Sequence, residues 1–211
     1  MKIDFVSDVS CPWCAIGLKA LETALERVGD AVQVRFHLQP FELNPQMPPG
    51  GQDITEHLTQ KYGSTPAQAE AARENIRQRG EAVGFQFRMD KRSRIYNTFD
   101  AHRLLHWAQE QGQQVALKHA LFEAYFGRGE NPGDRQVLLN AAGQAGLDVQ
   151  LAAEVIDSGR YAEEVREREQ FYQSHGIHAV PAVIINDRHL IQGGQPVEVF
   201  EQALRQLADA V

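Results

Sequence analysis

The chain has 211 residues, of which 43% are hydrophobic and 23% are charged, a balance typical of a globular protein and not of a disordered chain. Its formal net charge of −7, without a block of Lys and Arg, argues against nucleic acid as a partner because phosphates are repelled. Asp4 and Asp8 interrupt any secretory signal, and no stretch approaches the ~20 apolar residues of a membrane span. A cytoplasmic protein without membrane contact is therefore expected.

The first forty residues predict a strand, a helix and a second strand. Ile3 to Ser7 form a short apolar run that is typical of a buried strand. Apolar residues then recur at helical spacing from Ala15 to Val28, and Gly29 is suited to end the helix. From Val32 to Leu38 every second residue is apolar, which predicts a half-buried strand.

Helical patterns dominate residues 53 to 175. Asn97 or Thr98, Asp134 and Asp148 are suited to cap helices in this stretch. No repeat of fixed period links the helices, so a solenoid is not expected. The predicted helical segments are Pro66 to Val83, Ala101 to Ala108, Val115 to Phe126, Val137 to Ala145, Leu151 to Ile156 and Val165 to Phe171.

The end of the chain returns to strand patterns. Val180 to Ile185 is a dense β-branched run, and His189 to Gln192 follows it after a turn, so a hairpin is expected. Gly193-Gly194 interrupts the second strand, and the spacing from Phe200 to Leu207 predicts a final amphipathic helix. Pro196 suits the first turn of that helix.

The order of these elements predicts an α/β protein. Strand, helix and strand, followed much later by two strands and a helix, is the order of a thioredoxin-like fold whose sheet is interrupted by a long insertion. We therefore expect a discontinuous thioredoxin-like domain at residues 1–52 and 176–211 and a large all-helical insertion at residues 53–175.

Both cysteines of the chain lie in one motif, Cys11-Pro12-Trp13-Cys14, at the predicted start of the first helix. A disulfide here closes too short a loop to stabilise a fold, so a catalytic or metal-binding pair is expected instead. Unpaired N–H groups and the dipole of the helix favour a thiolate at Cys11, which would be the nucleophile. Cys14 would be its resolving partner, with Pro12 and Trp13 supporting the pair.

Two patterns raise the question of a metal. A zinc half-site made by Cys11 and Cys14 needs two further ligands, and the chain has no second cysteine pair. His102 and His106 stand four apart on one predicted helix, but no carboxylate follows in a known motif order. No metal site is expected, and a zinc-binding or chaperone-like module remains as an alternative function.

Five segments spread along the whole chain resemble one known family. They are Ser7-Asp8-Val9-Ser10-Cys11-Pro12-Trp13-Cys14 with Ile16-Gly17, Phe41-Glu42-Leu43-Asn44-Pro45, Asn97-Thr98 with Ala101-His102-Arg103-Leu104-Leu105, Leu121-Phe122-Glu123-Ala124-Tyr125-Phe126, and Val180-Pro181. In this order they resemble the DsbA family of thiol–disulfide oxidoreductases, and within it the cytosolic FrnE-like branch.

The resemblance implies disulfide exchange as the activity. It implies a cis bond before Pro181, which would turn the backbone of Val180 towards Cys11, where it could bind a peptide or glutathione. It also implies that Asn97 and His102 face the substrate cleft near Cys11.

The sequence departs from the FrnE-like branch in two places. Ala182-Val183 follows Pro181 where aromatic residues are more frequent, which leaves the shape of the pocket open. The absence of a second cysteine pair excludes a two-site relay.

The wider family includes kappa-class glutathione transferases and 2-hydroxychromene-2-carboxylate isomerases, which usually have a serine at the position of Cys11. The intact pair favours exchange with protein or small-molecule thiols and disulfides, and a glutathione-dependent isomerase or transferase is the alternative enzyme class. Backbone N–H groups at Gly194 and Gln195 could bind a glutathione carboxylate, or the segment is a plain strand-to-helix turn. No cofactor is expected to be required, with glutathione as a co-substrate. The direction of exchange and the oligomeric state do not follow from the sequence.

Overall fold

The first and last segments of the chain form one four-stranded sheet. The computed structural model describes residues 1–29 and 32–208. In these ranges the strands are β1 (Lys2–Ser7), β2 (Arg35–Pro40), β3 (Gln52–Asp53), β4 (Arg94–Ile95), β5 (Ala182–Ile185) and β6 (His189–Gln192).

Most of the other residues that the structure describes lie in nine α-helices. They are α1 (Pro12–Val28), α2 (Ile54–Tyr62), α3 (Pro66–Ala82), α4 (Phe99–Glu110), α5 (Gln114–Phe122), α6 (Arg135–Gln144), α7 (Val149–Ser158), α8 (Ala162–Ser174) and α9 (Val197–Ala208). A π-helical segment, Glu123–Gly127, continues α5. None of the helices described is long and apolar enough to cross a membrane.

β1 is one of the two inner strands of the sheet, and all but its first residue are buried. It pairs in parallel with β2 and antiparallel with β5, so that the neighbours of Phe5 are Leu38 and Val183. β6 completes the order β2-β1-β5-β6. Side chains of β1 alternate between two cores: Phe5 packs with α1 and α9, whereas Val6 packs with Tyr172 of α8. The predicted order of strands and helices in both parts of the sheet, and the α/β class, are confirmed.

The long segment between β2 and β5 has a helical core of its own. Apolar residues of α4 to α7, such as Leu104, Leu117 and Leu138, pack together. Asp134 and Asp148 cap α6 and α7, since each side chain accepts hydrogen bonds from two backbone N–H groups.

One pairing in this segment has no counterpart in the sequence patterns. β3 pairs antiparallel with β4, and Arg94 donates to the carbonyls of Gly50 and Gly51, each at 3.0 Å. Two-residue strands are too short to produce an alternating pattern, which is why the sequence indicated only helices here. Through this pairing, β4 lies beside the end of the loop that follows β2, residues 41–51. The domain boundaries at residues 52 and 176 stay a prediction.

Candidate functional site

The two cysteines occupy the amino-terminal end of α1. Cys11 is the N-cap residue, and Pro12 takes the first turn, where a missing N–H breaks no hydrogen bond. The N–H of Cys14 donates to the carbonyl of Cys11 at 3.1 Å. Both are free thiols, with Cys11 4% exposed and Cys14 0% exposed. Because Cys11 lines a cleft and Cys14 does not, an incoming disulfide meets Cys11 first.

The surroundings of Cys14 keep it protonated. Burial, together with the hydrogen bond to Cys11 and its charge, holds the pKa of the Cys14 thiol well above its ordinary value. The positive charge of Lys118 and a hydrogen bond from the backbone of Asp8 lower the same pKa. Cys14 can therefore stabilise a thiolate at Cys11 by donating to it, but must lose its own proton before it attacks.

The chain before β5 faces the first cysteine. The peptide bond between Val180 and Pro181 is cis, and the Sγ of Cys11 donates to the Val180 carbonyl at 3.6 Å. The Pro181 ring lies against α1, where a Cβ added to Gly17 would be 3.1 Å from Cγ of Pro181. Val180 lines the same cleft as Cys11, so a substrate that reaches the sulfur also meets this backbone.

Gly194 packs against the motif and does not line that cleft. The Arg79 guanidinium lies 5.6 Å from the centre of the Trp13 ring, and it donates to the Gly194 carbonyl at 2.7 Å. A Cβ on Gly194 would come within 2.9 Å of the Trp13 carbonyl, so a glycine is required. The N–H of Gln195 already donates to the Gly193 carbonyl at 2.9 Å. A carboxylate site at Gly194 and Gln195 stays a prediction without geometric support.

Asp8 is a buried carboxylate directly before the motif. Its Oδ2 accepts hydrogen bonds from Oγ of Ser10 at 2.9 Å and from the N–H of Leu43 at 2.8 Å. Its Oδ1 accepts from Oγ1 of Thr98 at 2.7 Å and lies 3.3 Å from Nε2 of His102. Burial alone would raise the pKa of Asp8, but these partners, His102 foremost, lower it to about 2. Asp8 thus joins the cysteine turn to the chain after β2 and to the start of α4.

Two predicted substrate-side residues lie elsewhere. His102 is 2% exposed, contacts Asp8 and lines a second cavity, between β1, β2 and α4. The Oδ1 of Asn97 accepts a hydrogen bond from the N–H of Phe99 at 2.9 Å, which supports the start of α4. Neither residue lines the cleft in front of Cys11.

The two histidines of α4 do not form a metal site in the described chain. His102 contacts Asp8, whereas the His106 ring packs 5.0 Å from the ring of Tyr161. Among the described residues, no group of three or more His, Cys, Asp and Glu side chains is placed to hold a metal ion.

A cleft of about 590 Å³ opens in front of Cys11, and we call it the cysteine cleft. Its volume lies in the range of small-molecule sites. Glu42 is the single carboxylate among the described lining residues. The apolar side chains of the cleft include Phe41, Ile54, Ile76 and Ile95, and its basic side chains are His57, Lys61, Arg73, Arg92 and His178. This combination favours a partly apolar ligand that carries negative charge.

Two of the basic side chains are held in place by the chain around the motif. Nζ of Lys61 donates to the Leu43 carbonyl at 2.7 Å. Arg92 lies 5.0 Å from the centre of the Tyr125 ring and donates to the Ser10 carbonyl at 3.4 Å. Sequence reasoning missed both, because α2 and the chain before β4 reach the cysteines only through tertiary packing.

A buried pair of carboxyl groups lies beside the cleft. Nη1 of Arg166 donates to Oε1 of Glu42 and, at 2.8 Å, to Oε2 of Glu169. The other oxygen of each carboxyl has no hydrogen-bond partner within the described chain. Burial, opposed by His102 and reinforced by Glu42, raises the pKa of Glu169 to about 7. Glu169 therefore holds a proton in the folded protein at mildly acidic pH, where an ordinary glutamate has lost it.

The variant Glu169→Gln is expected to flatten the pH dependence of stability between about pH 4.5 and 7. In this interval the folded wild type holds a proton that the unfolded chain has lost, since the pKa of Glu169 is about 7 against an ordinary 4.5. Wild-type stability then falls as the pH rises, by up to about 1.4 kcal/mol per pH unit. Urea unfolding across this range measures the slopes, with the exposed Glu167→Gln as control. Equal slopes in all three proteins would contradict the expectation.

Comparison with known proteins gives consistent matches along the chain. The family model described as "DSBA-like thioredoxin domain" matches residues 2–205. A "probable DsbA oxidoreductase" from Streptomyces coelicolor is 35% identical, with a TM-score of 0.90 over 98% of this chain and 89% of that chain. The uncharacterized protein YwbO of Bacillus subtilis is 28% identical, over 97% of this chain and 96% of its own length.

A more distant structure shares the fold. The cytosolic disulfide reductase DsbM from Pseudomonas aeruginosa, solved with GSH, is 17% identical and has a TM-score of 0.69 over 98% of both chains.

Proposed function

Since the chain belongs to the family of DSBA-like thioredoxin domains, we propose that it is a thiol–disulfide oxidoreductase that reacts through Cys11 and Cys14. The observation that carries this proposal is a free thiol pair at the start of a helix, with Cys11 lining a cleft and Cys14 buried behind it. Such a pair supplies an attacking thiol and a resolving thiol. Pro12 and Trp13 support the pair at the helix start and at the cleft wall.

The reaction proceeds in two exchanges. In the reductive direction, the thiolate of Cys11 attacks a substrate disulfide, whose S–S bond breaks, and one half of the substrate leaves as a thiolate. Cys14 then loses its proton and attacks the sulfur of Cys11. The Cys11–Cys14 bond forms, the second half leaves as a thiolate, and two electrons have passed to the substrate. The reverse sequence oxidises a dithiol.

The cysteine cleft favours small thiols that carry carboxylates. Its apolar floor and basic side chains, among them Lys61 and Arg92, suit a ligand such as glutathione. Glutathione serves as the co-substrate that recycles the cysteine pair, and no metal or organic cofactor is required. The DsbM structure solved with GSH supports this choice by likeness of fold.

Besides glutathione, the proposed substrates include thiols and disulfides of peptides and proteins. The backbone of Val180, beside the Cys11 sulfur, offers a place for an extended peptide to pair by strand addition. A reducing, cytoplasmic setting fits the small number of cysteines and the cytosolic DsbM.

The test follows exchange with glutathione on the intact protein. Reduced protein is mixed with oxidised glutathione without oxygen, quenched in acid at intervals and examined by mass spectrometry. We expect a transient glutathione adduct at Cys11, then a Cys11–Cys14 disulfide with release of reduced glutathione. A protein that binds glutathione but forms neither species contradicts the proposal and favours a glutathione-dependent isomerase or transferase.

A further inference from the structure

Lys118 is a buried lysine that the exchange chemistry described so far does not use. It lies on α5 and is 0% exposed, and its Nζ has no hydrogen-bond partner within the described chain. An isolated ammonium in such a place is costly, and a buried lysine commonly releases its proton instead. An apolar residue at this position would stabilise the fold more than a buried amine does, which indicates that the amine has a function.

The amine lies in the same part of the core as the buried cysteine of the motif. Its Nζ lies 5.2 Å from the centre of the Phe122 ring, a residue of the same apolar core as Cys14. Burial lowers the pKa of Lys118 to about 8, while the charges of Cys14, Asp8 and Cys11 act in the opposite direction. At pH 7 about one molecule in ten then holds a neutral amine at this position.

Lys118 also borders a cavity that is separate from the cysteine cleft. This cavity has a volume of about 400 Å³, and none of the residues lining it also lines the cysteine cleft. Its polar walls and its size are sufficient for water molecules. The charged and titratable groups that face it besides Lys118 and His102 are Lys2 and Asp4 from β1, His37 from β2, His106 and Glu110 from α4, and Arg168 from α8.

Other nearby groups are poor acceptors for the proton of Cys14. The carboxylate of Asp8 has a pKa of about 2, and both of its oxygens are already in hydrogen bonds. His102 is engaged with Asp8. Solvent in the cysteine cleft is displaced once a substrate occupies it.

We propose that Lys118 accepts the proton that Cys14 loses in the resolving step and passes it to water in the cavity that Lys118 lines. This inference rests on the proposed exchange activity. Nζ forms no hydrogen bond with Cys14 in the structure, so the lysine side chain first moves within hydrogen-bond distance of Sγ. The neutral amine then takes the proton of Cys14, the thiolate attacks Cys11, the Cys11–Cys14 bond forms and the bond from Cys11 to the substrate breaks. The substrate leaves with the electron pair as a thiolate, and the ammonium releases its proton to the cavity. In the oxidative direction the ammonium returns the proton to Cys14.

Two variants separate proton transfer from charge. Lys118→Met keeps the length of the side chain and removes the amine. Lys118→Arg keeps a positive charge that cannot be deprotonated. The partly exposed Lys19→Met on α1 is the matched control. Thermal unfolding of each variant checks the fold, and we expect Lys118→Met to be at least as stable as the wild type because it removes an unpaired buried charge.

The measurement is a stopped-flow reaction of reduced protein with an aromatic disulfide whose thiolate product is coloured. The attack of Cys11 releases the first thiolate and the attack of Cys14 the second. We expect both Lys118 variants to slow the second release at least about tenfold and to change its pH profile, with the first release within about threefold of wild type. Lys19→Met should change neither phase.

Each alternative result has a clear meaning. A second release at the wild-type rate in Lys118→Met would overturn the proposal. A slow Lys118→Met with a normal Lys118→Arg would also overturn it, because charge alone would then account for the effect. If the wild type releases neither thiolate, the proposed function fails, and this outcome is distinct from a failure at Lys118.

Discussion

Replacing Cys11 by serine is expected to abolish disulfide exchange, and Cys14→Ser to stop it halfway. A serine hydroxyl does not ionise near neutral pH, so Cys11→Ser should fall to the uncatalysed rate, a loss of at least about a thousandfold. Cys14→Ser retains the thiol that lines the cleft but lacks the thiol that releases the substrate. The reaction of the reduced protein with glutathione disulfide in a single turnover, followed by the reduced glutathione released, measures both losses.

The mixed disulfide distinguishes the two cysteines. Cys14→Ser should accumulate a glutathione adduct at Cys11 that mass spectrometry detects, whereas Cys11→Ser should give none. Both variants keep the volume of the side chain nearly unchanged, so unfolding curves close to wild type are expected. A stable adduct at Cys14 in the Cys11→Ser protein, formed as fast as in the wild type, would reverse the assignment of nucleophile and resolving thiol.

Asp8→Asn should cause the largest loss of stability of any single change near the site. The substitution keeps the shape but turns one acceptor oxygen into a donor, which opposes the N–H of Leu43 or the hydroxyl of Thr98. Two buried donors then lose charged partners, at a cost of about 2–4 kcal/mol in the free energy of unfolding. Urea unfolding at neutral pH measures it. Asp90→Asn replaces an exposed aspartate that pairs with Arg88, and it should change the free energy of unfolding much less than Asp8→Asn does.

The loss of stability in Asp8→Asn should depend on pH. The folded pKa of Asp8 is about 2 against an ordinary 3.8, so its stabilising effect is fully present above about pH 4. This contribution is lost as the pH falls through about 2. The difference between wild type and Asp8→Asn should therefore shrink in acid. A difference that stays constant from neutral pH to about pH 2 would show that the ionised form of Asp8 contributes nothing.

The reactive core of the site could be predicted because it is contiguous in the sequence. Two cysteines three apart at the start of a helical pattern predict that the first lies at the end of the helix and the second is shielded one turn along, which agrees with Cys11 lining the cleft and Cys14 lying behind it. The strands of the sheet could also be predicted from the sequence. A buried strand gives an apolar run, as at Ile3 to Ser7, and a half-buried strand gives an alternating pattern, as at Val32 to Leu38. The pairing of β3 with β4 could not be predicted, because a strand of two residues is too short to show an alternating pattern of apolar residues.

The surroundings of Asp8 and Lys118 could not be predicted from the sequence. Asp8 resembles an ordinary turn or cap residue until Leu43, Thr98 and His102 are brought to it from distant segments. Lys118 follows the core residue Leu117 directly, and a lysine in a helix is usually solvent-exposed. Its only local signal is its position four residues before Phe122, which places it on the same face of the helix as a buried side chain.

Equilibration of the cysteine pair with glutathione tests the central claim most directly. Protein is incubated at a series of ratios of reduced to oxidised glutathione, quenched in acid, alkylated, and its free thiols are counted by mass spectrometry. We predict one reversible two-electron transition between the free thiols and the Cys11–Cys14 disulfide, with the same midpoint from the reduced and from the oxidised side. Thiols that stay reduced at every ratio, or midpoints that differ between the two directions, would contradict the account.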